Sequence, residues 1–526
     1  MCSTSLKPPD SGAFRGSLFP GGLVCASSRA TITSRGSPAA SPGAETNRER
    51  YRMNTRVLLA ALMASLVFSV YLPARADVKL PSVFGSNMVL QRDMPVPIWG
   101  WAKPGEEVTV RFGSTKKTVK ADDQGNWRVT LKKLKASKKR GKQLEIKGKN
   151  SSIVLQNILI GDVWVGSGQS NMEWPVRATR KGGDMIRSAK YPGIRLFHIP
   201  KVQKGAPDKN VNASWQVCTP QSVVHFSAVL YYFGLKLQAD LKVPIGLIAS
   251  SWGGSRIEPW TVNPGSTVGG GMYNGMIAPI VPFAITGAIW YQGESNVGNG
   301  VGYHDLKKNL VAGWRRVWKQ PLPFYYVQIA PWSGYGGGQL PALWEGQTKS
   351  LTIPDTGMAV ITDLVDNLGD IHPQMKLEVG RRLALWALAR TYGKKKVVFS
   401  GPLYKSMEVE ENRIRIHFAH TAGKLGSRDG KPLSEFQIAG SDGQFYPATA
   451  LVDKETVVVS APEVKSPTQV RFGWHKLANP NLINKALLPA SPFQTNNWSG
   501  GTAEVFVSSD PAKASSGKTT TGSKKK

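Results

Sequence analysis

The stretch ILIGDVWVGSGQSNMEWPV, Ile158 to Val176, joins an unbroken apolar run to a turn of small residues and then to a serine. Apolar residues without alternation are what a strand covered on both faces requires. The GSGQS turn that follows can change direction sharply, which would present Ser170 at a strand's carboxyl end, the edge where α/β sheets bind ligands. A serine hydroxyl becomes a useful nucleophile only beside a base. Some 200 residues on, GDIHP, Gly369 to Pro373, supplies His372. Pro373 suits the first position of a helix, and apolar residues recur every three or four positions from Gln374 to Ala389, so His372 is expected at a helix entrance on the same rim.

Outward from Ile158, strand-like runs alternate with helical ones as far as residue 392. The runs VPIGLIAS, AITGAIWYQG, PFYYVQIAP and TGMAVITD are apolar nearly throughout, and Phe226 to Asp240 and His304 to Trp318 have helical periodicity. This alternation predicts a three-layer α/β/α domain over 158–392 with a largely parallel sheet. Short alternating runs broken by Gly, Pro and Asp predict an antiparallel β-domain over 77–157 and a second over 393–508. The two β-segments either stand apart or pack as one unit.

Both ends of the chain read differently. Residues 53–76, MNTRVLLAALMASLVFSVYLPARA, have the basic start, apolar centre and Ala-x-Ala end of a secretory signal peptide. Its apolar stretch of about fifteen residues is short of the roughly twenty that span a bilayer, so cleavage and a periplasmic or secreted product without a stable membrane anchor are expected. Residues 1–52 precede this complete signal and read as a doubtful, disordered extension. Residues 509–526 read as a disordered Lys-rich tail. Cys2 and Cys25 lie ahead of the signal, which leaves Cys218 alone in the mature chain, without an intramolecular disulfide and expected as a buried thiol.

The formal net charge is +32. Lys116 to Lys149 contributes thirteen Lys or Arg against three acidic residues. A solvated loop between strands accounts for such a segment, and an anionic polysaccharide is the candidate partner it raises; a nucleic acid is not expected for a secreted protein.

Of the seven histidines, His198, His225, His304, His417, His420 and His475 have no companion motif and are read as structural. His417 and His420 lie three apart in a strand-like run, which points them to opposite faces, and no carboxylate or cysteine cluster joins them. No catalytic metal is expected. His372 differs because Asp370 precedes it by two residues, with Asp366 and Asp363 just upstream. A carboxylate there would fix the imidazole tautomer and stabilise the imidazolium formed when Ser170 gives up its proton; Asp370 is the first choice, Asp366 the alternative, and capping of the following helix the competing role for Asp370. Two glycine-bearing loops at strand ends, SWGGSRIEPW from Ser251 to Trp260 and YQGESNVGNG from Tyr291 to Gly300, offer oxyanion donors: a backbone N–H near Gly253 or Gly254, and the amide of Gln292 or Asn296. Trp252, Trp260, Trp290 and Trp344 are read mostly as core, and Arg256 either binds an acidic sugar or pairs with Glu258.

Taken together, GDVWVGSGQSNMEWPV, SSWGGSRIEPW, AIWYQGESN and GDIHPQMKLEVGRRLALWAL resemble the sialate O-acetylesterase family of SGNH-type (GDSL-like) carbohydrate esterases. MVLQRDMPVPIWGWAKPGEEVTV and FGWHKLANPNLINKALLPASPFQTNNW extend the resemblance to roughly Val78 through Trp498. It implies a flavodoxin-like α/β/α SGNH hydrolase domain flanked by antiparallel β-domains, Ser170 as nucleophile, His372 as base, and an oxyanion hole at Gly254 and the Gln292 side chain beside the Ser170 amide. It also implies a cofactor-free serine esterase that removes O-acetyl groups from sialic acid or other acetylated carbohydrates through an acetyl-serine. Many SGNH enzymes place Asp three residues before the His; here Gly369 holds that position and Asp370 follows. The contrasting expectation is a catalytically silent carbohydrate-binding or surface-attachment protein.

Overall fold

A computed structural model of the chain describes residues 78–137 and 141–496. The extension, the signal segment and the Lys-rich tail lie outside those residues, as do 138–140 of the basic segment.

The fold is organised by one strand of 17 residues, Ser152–Gly168, which unites two runs that look separate in the sequence. Its first six positions are partly or fully exposed and its last eleven are all buried. The change follows from its neighbours. Lys142–Lys147 pairs antiparallel with the first part, while Ile245–Ser251 and Gly287–Tyr291 flank the second part in parallel. The boundary expected at 157/158 falls inside this strand. Val89–Gln91 also pairs with it, parallel, over Leu159 to Gly161.

Across the main sheet the order is Thr356–Ala359, Phe324–Val327, Gly287–Tyr291, Ser152–Gly168, Ile245–Ser251, Tyr191–His198 and Trp215–Cys218. All neighbours are parallel except the last pair. The chain fills one side of the long strand before crossing to the other, so the connections diverge at its carboxyl end. That crevice is where α/β sheets place ligands, and Ser170 lies two residues beyond it.

Helices Ala228–Leu241 and Tyr303–Trp318 form within two residues of their expected positions. Ser227 accepts the Leu230 N–H at 3.3 Å and caps the first of them. The third expected helix starts late. It runs Lys376–Trp386 and continues into a wider turn, Ala387–Thr391, so Pro373 is not its first residue. The segment before it is held by distant parts of the chain instead: Ile371 O accepts from Asn171 Nδ2 at 3.0 Å and Gln374 O from the Arg180 N–H at 3.1 Å.

The strands before residue 150 share one apolar core with the α/β elements, whereas Ile414, Ile416, Val457, Val459, Val470, Phe472 and Phe493 form a second core among antiparallel strands. The result is a mixed α/β sheet core with additional antiparallel sheets. Among the described residues no helix is long and apolar enough to cross a membrane. Cys218 is buried, and burial pushes its thiol up to about 12.

One buried ion pair fixes the helix that follows His372. Arg382 reaches Asp363 through both Nη atoms, at 2.6 and 2.7 Å, with each side chain less than a tenth exposed, and its Nε donates to Glu378 at 2.9 Å. Removing one member would leave a guanidinium buried without its bidentate partner. Asp363→Ala is therefore expected to destabilise the fold by about 3–5 kcal/mol, read as a lower urea midpoint at unchanged slope.

Candidate active site

The long strand ends at Gly168, whose φ of +136° and close approach to Tyr291 O, only 2.1 Å from where a Cβ would stand, admit glycine alone. Gln169 is extended, and Ser170 opens the one-turn helix Ser170–Glu173. Ser170 Oγ lies 2.9 Å from His372 Nε2 across 202 residues of sequence. That contact is the one a nucleophile and its base need.

On the far side of the imidazole, His372 Nδ1 lies 3.4 Å from Asp370 Oδ1, and the same oxygen accepts the His372 backbone N–H at 2.8 Å. Asp370 thus closes a tight local turn and caps no helix. Its side chain is 40% exposed, so the charge facing the imidazole is well solvated. The alternatives stand elsewhere: Asp363 is committed to Arg382, and Asp366 is exposed. The indole of Trp174 stacks on the His372 ring at 4.6 Å and 16°, held by its own Nε1–H to Ala178 O at 2.9 Å. Burial, and after it the nearby Lys376 ammonium, hold the His372 imidazole below its ordinary value against the opposing pull of Asp370.

The oxyanion candidates divide. Gly254 has φ +74° with open space where a Cβ would be, and among the described residues neither its N–H nor that of Ser170 is hydrogen-bonded. The Gly253 N–H is taken by Glu173 Oε2 at 2.7 Å. Gln292 departs from its expected role, because its amide is fully buried and already satisfied. Nε2 donates to Asn296 Oδ1 at 2.7 Å and to Ser255 O at 3.3 Å, and Oε1 accepts from the Tyr303 hydroxyl at 2.6 Å. Asn296 Oδ1 also accepts the Ile257 N–H, which fixes that amide's orientation, and its Nδ2 is spent on Glu258 and Asn299. Both amides therefore lock the two glycine loops together and carry no free donor toward Ser170. Arg256 braces the same loops through Glu258 at 2.7 Å, Asn299 at 3.0 Å and Ser295 O at 3.0 Å.

A cavity of about 430 Å³ opens on Ser170 and His372, walled by Glu173, Trp174, Pro175, Arg177, His198 and His225. His198 and His225, read from sequence as structural, thus face the site. Arg177 Nε donates to His225 Nδ1 at 3.3 Å, and Lys201 pairs with Glu173 at 2.7 Å. Trp260, Trp290 and Trp344 are wholly core; Trp252 is half-buried, with Lys201 6.0 Å from its ring centre. Sequence reasoning missed Asn171, Glu173, Trp174, Glu294 and Lys376, although all lie inside the four motifs quoted above.

The model of a family described as carbohydrate esterase, sialic acid-specific acetylesterase, matches residues 160–389. The sialate O-acetylesterase of Homo sapiens is 31% identical over 396 residues, covering 63% of this chain and 74% of its own. That of Mus musculus is 28% identical over 473 residues, covering 73% and 84%. Among solved structures, a carbohydrate acetylesterase from Xanthomonas citri is 37% identical with a TM-score of 0.76, covering 80% of this chain and 100% of that one. With this agreement spanning the sheet, the serine turn and the histidine loop, the chain belongs to the sialate O-acetylesterase family of carbohydrate esterases and is a carboxylic ester hydrolase.

Proposed function

We propose that the protein is a secreted carbohydrate O-acetylesterase that works through an acetyl-serine intermediate. The observation that carries this reading is the 2.9 Å contact between Ser170 Oγ and His372 Nε2 at the mouth of a cavity, beside two uncommitted backbone donors. Ser170 attacks the acetyl carbonyl while His372 takes its proton. The Ser170 and Gly254 N–H groups receive the negative charge on the carbonyl oxygen, and His372 then protonates the departing sugar hydroxyl. Water, activated by the same imidazole, releases acetate from the serine.

The relatives' printed names support an acetylated carbohydrate as substrate, with sialic acid among the candidates. Secretion rests on residues 53–76 of the sequence. The parallel sheet and the helices beside it support a three-layer, flavodoxin-like SGNH domain, which the strands before residue 150 join through Ser152–Gly168, with a further β-domain after residue 392. A catalytically silent, polymer-binding protein would have no need of the assembled serine–histidine pair. The test is acetate release from p-nitrophenyl acetate and from acetylated oligosaccharides, with mass spectrometry of the quenched reaction. Acetylation of the peptide carrying Ser170 is expected, and turnover without it removes the acetyl-serine step.

The depressed imidazole sets the pH dependence. His372 accepts a proton only when neutral, so holding its pKa down extends the active range to lower pH. With p-nitrophenyl acetate, kcat/KM is expected to fall on an acid limb whose midpoint lies below the ordinary histidine value of about 6.5. A limb at or above that value contradicts the burial of the imidazole and its repulsion by Lys376.

A further inference from the structure

Behind the serine–histidine pair lies a second, buried set of polar groups that take no direct part in the acyl transfer. Asn171, the residue after Ser170, is fully buried and spends its amide on three partners. Nδ2 donates to Glu294 Oε1 at 2.6 Å and to Ile371 O at 3.0 Å, and Oδ1 accepts from Lys376 Nζ. Ile371 immediately precedes His372, Glu294 belongs to the second glycine loop, and Lys376 opens the helix after the histidine loop. One side chain therefore ties the turn that carries the nucleophile to the loop that carries the base.

We propose that Asn171, Glu294 and Lys376 form a buried positioning chain that fixes the His372 loop against Ser170 and stations a cation behind the imidazole. Nothing in core packing requires it. An apolar set of similar volume would fill the space without the cost of burying two ionisable groups, and such groups persist where they specify one arrangement. Lys376 is wholly buried; its ammonium lies 5.9 Å from the Trp174 ring centre and 5.3 Å from that of Tyr291. Trp174 is the indole stacked on His372, so the cation backs the surface on which the imidazole rests. The groups that act on Lys376 are Glu294, Asp370 and Asp366, which attract a proton to it, and His372, which it repels; the buried Tyr291 and Tyr335 hydroxyls stand near Glu294. Burial outweighs those carboxylates and pushes Lys376 down to about 7, while burial raises Glu294. On the acid limb of activity Lys376 is thus still charged, and it helps to keep His372 free to accept a proton.

The proposal rests on His372 being the base, and its test separates the two. In full-length protein with labelled imidazoles, NMR titration of His372 is expected to show a midpoint below the ordinary histidine value. Lys376→Met is expected to raise the His372 midpoint by about half a unit or more. It should also lower kcat at least about tenfold with KM for p-nitrophenyl acetate within about twofold, as a displaced base would. Glu294→Ala is expected to lower kcat similarly, and Glu294→Gln to recover most of it, since a glutamine oxygen still accepts from Asn171. Failure of Glu294→Gln to recover the activity that Glu294→Ala loses overturns the proposal, whether or not Lys376→Met folds. So does an unmoved His372 midpoint in folded Lys376→Met, or a loss of kcat that only tracks the unfolded fraction. If the wild type turns over no acetyl ester, the esterase reading falls while the titration still reports on the chain.

Discussion

Replacing Ser170 with alanine is expected to lower acetate release from p-nitrophenyl acetate and from acetylated oligosaccharides by about four to six orders of magnitude. The hydroxyl is the atom that bonds to the acetyl group, so neither the oxyanion donors nor the imidazole can replace it; they leave only the residual rate of a polarised carbonyl and a base-activated water. Stability should hardly change. The side chain is half-buried and the substitution removes one oxygen whose hydrogen bond is to His372, so the thermal midpoint is expected to move by no more than a few degrees. Equal acetate release by both proteins would end the serine mechanism. Binding of acetylated polymer by both, with release by neither, would favour the silent, carbohydrate-binding alternative.

What the sequence revealed and what it concealed divide along physical lines. Strands buried on both faces announce themselves as apolar runs, which made the sheet readable at VPIGLIAS and AITGAIWYQG. A serine in a small-residue turn after such a run is equally visible. The 17-residue strand was not, because its first part alternates like a solvent-facing strand and its second part does not, and a change of environment resembles a change of element. The late start of the helix at Lys376 was hidden for a different reason: periodicity reports which face is apolar, whereas the carbonyls of Ile371 and Gln374 are claimed by distant Asn171 and Arg180. Gln292 shows the same limit within the site. Its place at a strand end suited an oxyanion donor, but only the structure reveals that Asn296, Ser255 and Tyr303 already use all of its amide. His198, at the end of a strand, and His225, in a turn, reach the cavity wall with no motif of their own, which sequence spacing has no means to register.

His372→Ala should approach the loss seen for Ser170→Ala, about four to six orders of magnitude, since the serine proton then has no acceptor within reach. The comparison with Asp370 carries more information. In a buried triad the acid holds the imidazole tautomer, and converting it to an amide costs heavily because the wrong atom faces the ring. Here one oxygen, Oδ1, faces His372 Nδ1 at 3.4 Å and also accepts the His372 backbone N–H at 2.8 Å. Asparagine keeps that oxygen, and the backbone donor keeps it oriented, so the tautomer survives the substitution. The lost charge was long-range for a hydrogen bond and well solvated. Asp370→Asn is therefore expected to cost about tenfold or less in kcat/KM, the scale of one modest hydrogen bond. Asp366→Asn, at an exposed residue, should stay within about twofold, as surface changes usually do. Steady-state kinetics of the three variants at a pH above the acid limb decides the matter. A thousandfold loss in Asp370→Asn would mean that the acid closes on the imidazole once substrate is bound; a loss confined to His372→Ala would make this a serine–histidine pair braced by Trp174 and Lys376, with Asp370 shaping the loop more than the chemistry.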